Sequence, residues 1–270
     1  MTRIAILQHE RQRVDNMLLI HGISDYWRRK GLKVDFYNGL KKKIKADILI
    51  PQVDLTITPT PYREAIDSFK GLVLNRNIFD ISKRKISANL AEPGYEGAVI
   101  VKPNLNSNGD PELRLKSKLE KGIHLIKKQL GLIQKGYQVF ASYKEVPGIF
   151  KASNHYVVEK FLPQRDGDDY IVHLTAFLGD QHKTERIRSK EPVIKGHYTK
   201  STRITVPTPI DVLQLKENMG FDYGKFDFSI YNGQIELFDA NSTPGGARPE
   251  LIRSYMEDLG KGIYYYLKRL

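Results

Sequence analysis

Cysteine is absent from the 270-residue chain, which excludes a disulfide framework, a thiolate metal site and a cysteine nucleophile together. A cytoplasmic location fits that usage best. No apolar run approaches the roughly 18 to 20 residues needed to span a bilayer, and Met1 to Leu7 reads as a short strand rather than a secretory leader. The expectation is therefore a soluble chain with no membrane partner. Internal repeats and low-complexity linkers are missing too, and no GxxxxGK[ST] phosphate loop occurs. Helix-turn-helix, RRM and zinc-finger signatures are lacking, which leaves nucleic acid unsupported as a partner. His9, His155, His173 and His197 have no zinc spacing.

What is present is positive charge. Lys and Arg number 43 against 31 Asp and Glu, a net charge of +12 with a pI near 9.5. The excess is spread along the chain and raises the local concentration of anions such as nucleotides, phosphates and carboxylates. Runs such as Lys41, Lys42, Lys43 and Lys45 read as a solvated face. At 31.0 kDa the chain can bury a substantial core, as one compact unit or two to three packed subdomains.

Hydrophobic periodicity divides the chain. Arg3 to Leu7, Lys33 to Tyr37, Ala46 to Ile50 and Gly71 to Leu74 read as strands, with a helical stretch from Val14 through Trp27, and together suggest a small α/β layer domain. Ala98 to Lys102 is a buried-type strand. Glu112 to Gln134 has helical spacing, and Gln138 to Tyr143 and His155 to Glu159 read as strands of a second layer. Tyr170 to Leu178 is a longer strand, and the basic segment behind it, to Arg203, has weak periodicity. Ile210 to Met219 is predicted helical, stopped by Gly220. Lys225 to Tyr231 and Gln234 to Ala240 flank Asn232-Gly233, the strongest short-range hairpin signal. Pro249 to Leu270 closes the chain as a helix.

On that hairpin, strict alternation points Leu237, Asp239 and Asn241 to one face and Glu236, Phe238 and Ala240 to the other. The facing strand carries Asp227 among Phe226, Phe228 and Ile230. Two carboxylates and an amide are all oxygen donors, which suits Mg²⁺. A turn-rich tail, Asn241-Ser242-Thr243-Pro244-Gly245-Gly246, lies directly behind them.

The stretch KFDFSIYNGQIELFDANSTPGG resembles the last two core strands of ATP-grasp enzymes, in which an Asp on one strand precedes Glu or Asp, any residue, then Asn on the next. The resemblance implies an α/β (α+β) ATP-grasp fold, in which a small N-terminal α/β domain (residues 1–82) precedes two α+β subdomains (83–157 and 158–270) that clasp the nucleotide. It implies Mg²⁺ on Asp227, Asp239 and Asn241, bridging the β- and γ-phosphates of ATP. Asp239 stands where most ligases of the superfamily have Glu, which shortens the reach.

The same resemblance implies further features upstream. Lys102, ending VIVKP, is the lysine for the α-phosphate and adenine. VVEKFLP supplies a hinge of Glu159, Lys160, Phe161 and Leu162, whose backbone reads the adenine edge. Among Asp166, Asp168 and Asp169 lies a carboxylate for the ribose, with Asp166 and Asp169 as the candidates. Arg186 and Lys195, from a basic segment that also holds Arg188, Lys190, His197, Lys200 and Arg203, would clamp the polyphosphate. Lys83 resembles the first nucleotide-contacting lysine, although it stands much closer to Lys102 than is usual. The glycine-rich flap is reduced to NLNSNGDPE. Arg248 is the candidate contact for a substrate carboxylate.

In reaction terms the resemblance implies a carboxylate-amine ligase that joins a small-molecule or peptide carboxylate to an amine through an acyl phosphate. The alternatives are a small-molecule kinase, for example of an inositol phosphate type, and a nucleotide-binding regulatory module. The positive charge favours an anionic substrate.

Overall fold

The computed structural model describes residues 2–12, 18–129, 136–194, 200–245 and 253–270. Its first sheet is parallel, built from β1 (Arg3–Gln8), β2 (Lys33–Asn38), β3 (Ile48–Pro51) and β4 (Leu72–Val73) in the order β2-β1-β3-β4. Runs such as IAIL and ILI are apolar at successive positions because helices cover both faces of a parallel sheet. Helix α1 (Leu19–Arg29) buries Ile20, Ile23 and Trp27 on one face, and α2 (Thr60–Asp67) buries Tyr62 and Ile66 on the other. The order reverses at β1, so the loops behind β1 and β3 diverge and leave a crevice.

A three-stranded antiparallel sheet follows. Its strands are β5 (Val99–Pro103), β6 (Gln138–Phe140) and β7 (Tyr156–Lys160), with β5 central. Short helices α3 (Lys83–Ile86), α4 (Asp110–Leu115), α5 (Lys118–Gln129) and α6 (Gly148–Lys151) accompany it. The single helix expected from Glu112 is in fact two, because Lys116 is extended, with φ −66° and ψ 151°.

The largest sheet has six strands: β8 (Gln164–Asp166), β9 (Asp169–Leu178), β10 (Gln181–Ser189), β11 (Thr202–Val206), β12 (Tyr223–Tyr231) and β13 (Gln234–Asn241). Their order is β11-β10-β9-β12-β13, with β8 beside β9. The basic segment with weak periodicity is thus β10 and β11. Their alternation is obscured because charged residues occupy both faces of β10, which is held extended by its ladders to β9 and β11. The hairpin turns at Asn232 and Gly233, with φ of 50° and 80°, the left-handed pair that this two-residue turn requires.

Helix α7 (Ile210–Asn218) covers one face of the large sheet, where Val212 and Phe221 pack on Phe177, Phe226, Phe228 and Leu237. The other face is buried at one end only. There Ala176, Leu178 and Tyr223 join α1 and the closing helices α8 (Arg253–Gly260) and α9 (Ile263–Leu267) in one core, and the Trp27 indole N–H donates to Gly260 O at 2.7 Å. The helix expected from Pro249 is therefore divided at Lys261 and Gly262, and residues 246–252 lie outside the described ones. Where that core ends, the same face carries charged residues.

Candidate nucleotide and metal site

Ladder partners share a face, so the register sets the site. Lys225 faces Asn241 and Asp227 faces Asp239 across β12 and β13, and Asp227 continues through Leu174 on β9 to Glu185 on β10. The pairing then slips by one residue, from Asp227 with Asp239 to Phe228 with Leu237, which leaves Phe238 as a bulge. This corrects the strict alternation expected for the strand: Leu237 turns into the core with Phe226, Phe228 and Ala240, while Phe238 lines the same slot as Asp227 and Asp239. A bulge re-aims side chains in this way without lengthening the strand.

Each acid has its own lysine. Lys83 Nζ, with a side chain only 2% exposed, sits 3.2 Å from Asp239 Oδ1 and also donates to Asn106 Oδ1 at 3.1 Å. Lys225 Nζ lies 3.1 Å from Asp227 Oδ1, which accepts no hydrogen bond. Burial pushes the Asp227 carboxyl up against the pull of the Lys225 ammonium, and the facing Asp239 carboxylate adds to the rise. Asn241 Oδ1 accepts the Thr243 N–H at 2.8 Å, and the Thr243 hydroxyl donates to Asp54 Oδ1 at 3.0 Å, tying the hairpin end to the loop behind β3. Two facing carboxylates and an amide oxygen, balanced by lysines, are a donor set that fits Mg²⁺. Among the described residues no third His, Cys, Asp or Glu joins the two acids.

Above this floor is a slot walled by Lys160, Phe161, Leu162, Tyr170 and Val172 on one side and by Ile100, Val193 and Ile194 on others. The hinge is docked rather than open. The Lys160 N–H donates to Asn89 O at 2.8 Å, the Phe161 N–H donates to Ala98 O at 2.8 Å, and Leu162 O accepts the Ser229 hydroxyl at 3.2 Å. Among the described residues the Leu162 N–H has no such partner, which leaves that amide open on the expected backbone edge. Lys102 and Glu159 pair inside the slot, each side chain 4% exposed, and the Lys102 ammonium lies 5.3 Å over the Phe238 ring.

Other expected residues lie elsewhere. Arg186 pairs in register with His173 and Phe228, on the face opposite Asp227. It is bound to Asp166 at 2.8 Å, and Asp169 is taken by Arg188 and by Lys190 at 2.8 Å. Arg186, Asp166 and Asp169 therefore form a separate ion cluster and do not line the slot. The reason is parity: Glu185, one residue before Arg186, is the one that shares the Asp227 face. Arg203, paired in register with Ile187 and 3.3 Å from Glu185, is the arginine on that side. Lys83 reaches Asp239 rather than the slot. Lys195 and Arg248, with His197, fall outside the described residues. Lys225 was missed in the sequence, although its position two residues before Asp227 on a strand signals a shared face.

No family model matches the chain, and no curated protein matches it. Solved structures do. The macrocyclase MdnC from Microcystis aeruginosa MRC, bound with precursor peptide MdnA, matches with a TM-score of 0.53 at 11% identity over 96% of this chain and 98% of that one. The ATP-grasp ligase PsnB, complexed with a minimal precursor, gives 0.50 at 12% identity over 99% and 98%. A RimK domain ATP-grasp protein from Sphaerobacter thermophilus DSM 20745 gives 0.50 at 12% identity over 97% and 98%. At such low identity the likeness concerns the fold, and the fold of this chain is ATP-grasp.

Proposed function

We propose that the chain is an ATP-dependent, ADP-forming carboxylate-amine ligase. The observation that carries this reading is the facing pair Asp227 and Asp239, balanced by Lys225 and Lys83, on the floor of a slot closed by the 160–162 hinge. Residues 1–82 are then the unit that precedes the grasp, and the two clasping subdomains divide after β7, a few residues beyond the expected boundary at 157.

Asp227, Asp239 and Asn241 would hold Mg²⁺, which supplies charge neutralisation at the phosphate oxygens when bound. The chain's own groups do the rest. The apolar walls and the Leu162 N–H receive the adenine. Lys102, held against Glu159, presents positive charge along the slot, while the buried Lys83 fixes the Asp239 carboxylate in one orientation. With these groups as a frame, a substrate carboxylate oxygen attacks the γ-phosphorus, the bond to the ADP oxygen breaks, and ADP departs. The amine nitrogen then attacks the acyl carbon, phosphate leaves with the carbon–oxygen bond electrons, and the nitrogen loses a proton. Such transfer depends on positioning and charge more than on a protein nucleophile.

The test follows ADP and free phosphate together when the protein is incubated with Mg-ATP, a pool of carboxylates and amines, and hydroxylamine. Equal release of both, with a hydroxamate trapped, is the expected result. ADP without phosphate would establish the kinase alternative instead.

A further inference from the structure

Strands β5 and β6 are antiparallel neighbours, yet residues 104–137 intervene between them and carry α4 and α5. The stretch in which the sequence places a reduced glycine-rich flap stays away from the slot. Asn106 is buried, accepting from Lys83 and donating to Ala240 O at 3.0 Å, while Asp110 and Pro111 border a different cavity. Among the described residues of this connection only Tyr137, where the chain returns to the sheet, lines the slot.

Register puts it there. Val99 pairs with Phe140 and Val101 with Gln138, so one further step sets Tyr137 beside Lys102. Alternation then sends Val99, Val101 and Phe140 into the core beneath the small sheet, and gives Ile100, Lys102, Glu159 and Tyr137 to the slot. The floor comes from the large sheet, with Asp227, Phe238 and Asp239. Tyr137 therefore stands in the small sheet's wall and reaches towards the metal-binding strands. A phenol is protonated at neutral pH in any case, and here burial, followed by the Asp239, Asp227 and Glu159 carboxylates, pushes its pKa further up.

The charges of the site explain what such a group offers. Each lysine already answers an acid: Lys102 meets Glu159, Lys225 meets Asp227 and Lys83 meets Asp239. A phosphate chain entering beside three carboxylates gains from a donor that carries no charge of its own and that cannot become a repelling anion, and a hydrogen bond to a charged oxygen is among the stronger ones. We propose that the Tyr137 hydroxyl donates to the phosphate chain of the bound nucleotide, at an oxygen between Lys102 and the Asp227 and Asp239 pair, and takes over contacts that a glycine-rich flap would make. This assignment rests on the nucleotide-binding reading of the slot.

Tyr137→Phe removes the hydroxyl and keeps the ring. The whole chain and the variant are titrated with Mg-ADP by calorimetry and with adenosine by ligand-observed NMR. Loss of a hydrogen bond to a charged group should weaken Mg-ADP by about tenfold or more, while adenosine, which has no phosphate, should bind both proteins within about twofold. Adenosine reports the state of the pocket in each protein, so the ratio of the two affinities reads the contact even where the variant is less stable. Equal affinity of the two proteins for Mg-ADP overturns the proposal, as does an equal weakening of adenosine, which would assign Tyr137 a packing role. A loss that excess Mg²⁺ restores also overturns it, because the phenol would then act on the metal ligands and not on the phosphates. If the parent chain binds neither probe, the nucleotide reading itself fails and the proposal with it, an outcome distinct from a parent that binds Mg-ADP and a variant that binds it equally.

Discussion

Two sets of paired acids and bases occupy opposite faces of the same six-stranded sheet, and their residue types are nearly interchangeable. On one face Asp227 and Asp239 meet Lys225 and Lys83 at the floor of the slot. On the other, Asp166 and Asp169 meet Arg186, Arg188 and Lys190, with most of these side chains well exposed. The second set has the shorter ion pairs and the greater charge. It is nevertheless the less consequential, because water screens exposed pairs and their net worth is small, whereas at the slot floor Lys83 is buried and Asp227, Asp239 and Lys225 are only about a quarter exposed, so their charges are screened less.

The comparison is broken most decisively at Asp239. Asp239→Asn keeps a side-chain oxygen for Lys83 but removes the negative charge, and should lower Mg-dependent ADP release on the order of 100-fold or more. Unchanged release would remove the metal assignment. Within the slot, Glu159→Gln leaves the Lys102 ammonium buried without its counter-charge, and unfolding by urea should report a loss of about 3 kcal/mol. A stability equal to that of the parent chain would show that the pair is not held apart from water.

A third measurement concerns the opposite face, where His173 stacks on Phe228 at 5.3 Å. Burial, aided by Arg186, lowers its pKa to about 4 from the ordinary 6.5. Between those values the unfolded chain binds the proton and the folded chain does not, so stability should fall as pH drops from 6.5 towards 4, by on the order of 3 kcal/mol. His173→Phe preserves the stack and should flatten that part of the stability curve. An equally steep decline in the variant would assign the acid sensitivity to other groups. The smallest effect is expected at the exposed cluster: Arg186→Gln or Asp166→Asn should leave ADP release within about twofold. A large loss in either would return Arg186 to the polyphosphate.

Much of this was legible in the sequence. The strands of the first sheet, the hairpin and its Asn232-Gly233 turn follow from apolar runs and local turn chemistry, which act over a few residues. Asp227, Asp239 and Asn241 were legible as oxygen donors on that hairpin. Lys225 was within reach of the same reasoning, since position i−2 on a strand shares a face with position i. The strands β10 and β11 were not legible, because polar residues on both faces erase the alternation and only neighbouring backbones hold them extended.

The sequence by itself determined the kinds of group available: oxygen donors in a hairpin, a lysine ending a buried strand, a hinge of VVEKFLP, and a surplus of cations. Tertiary structure decided which of them meet. The one-residue slip at Phe238 sends Leu237 into the core and keeps Asp239 opposite Asp227, and parity along β10 sends Arg186 away from the slot and Glu185 towards its side. Both depend on register, a relation between strands distant in the chain. Local pattern gives the alternation, and only the pairing of one strand with the next fixes where a bulge breaks it and which way each face looks.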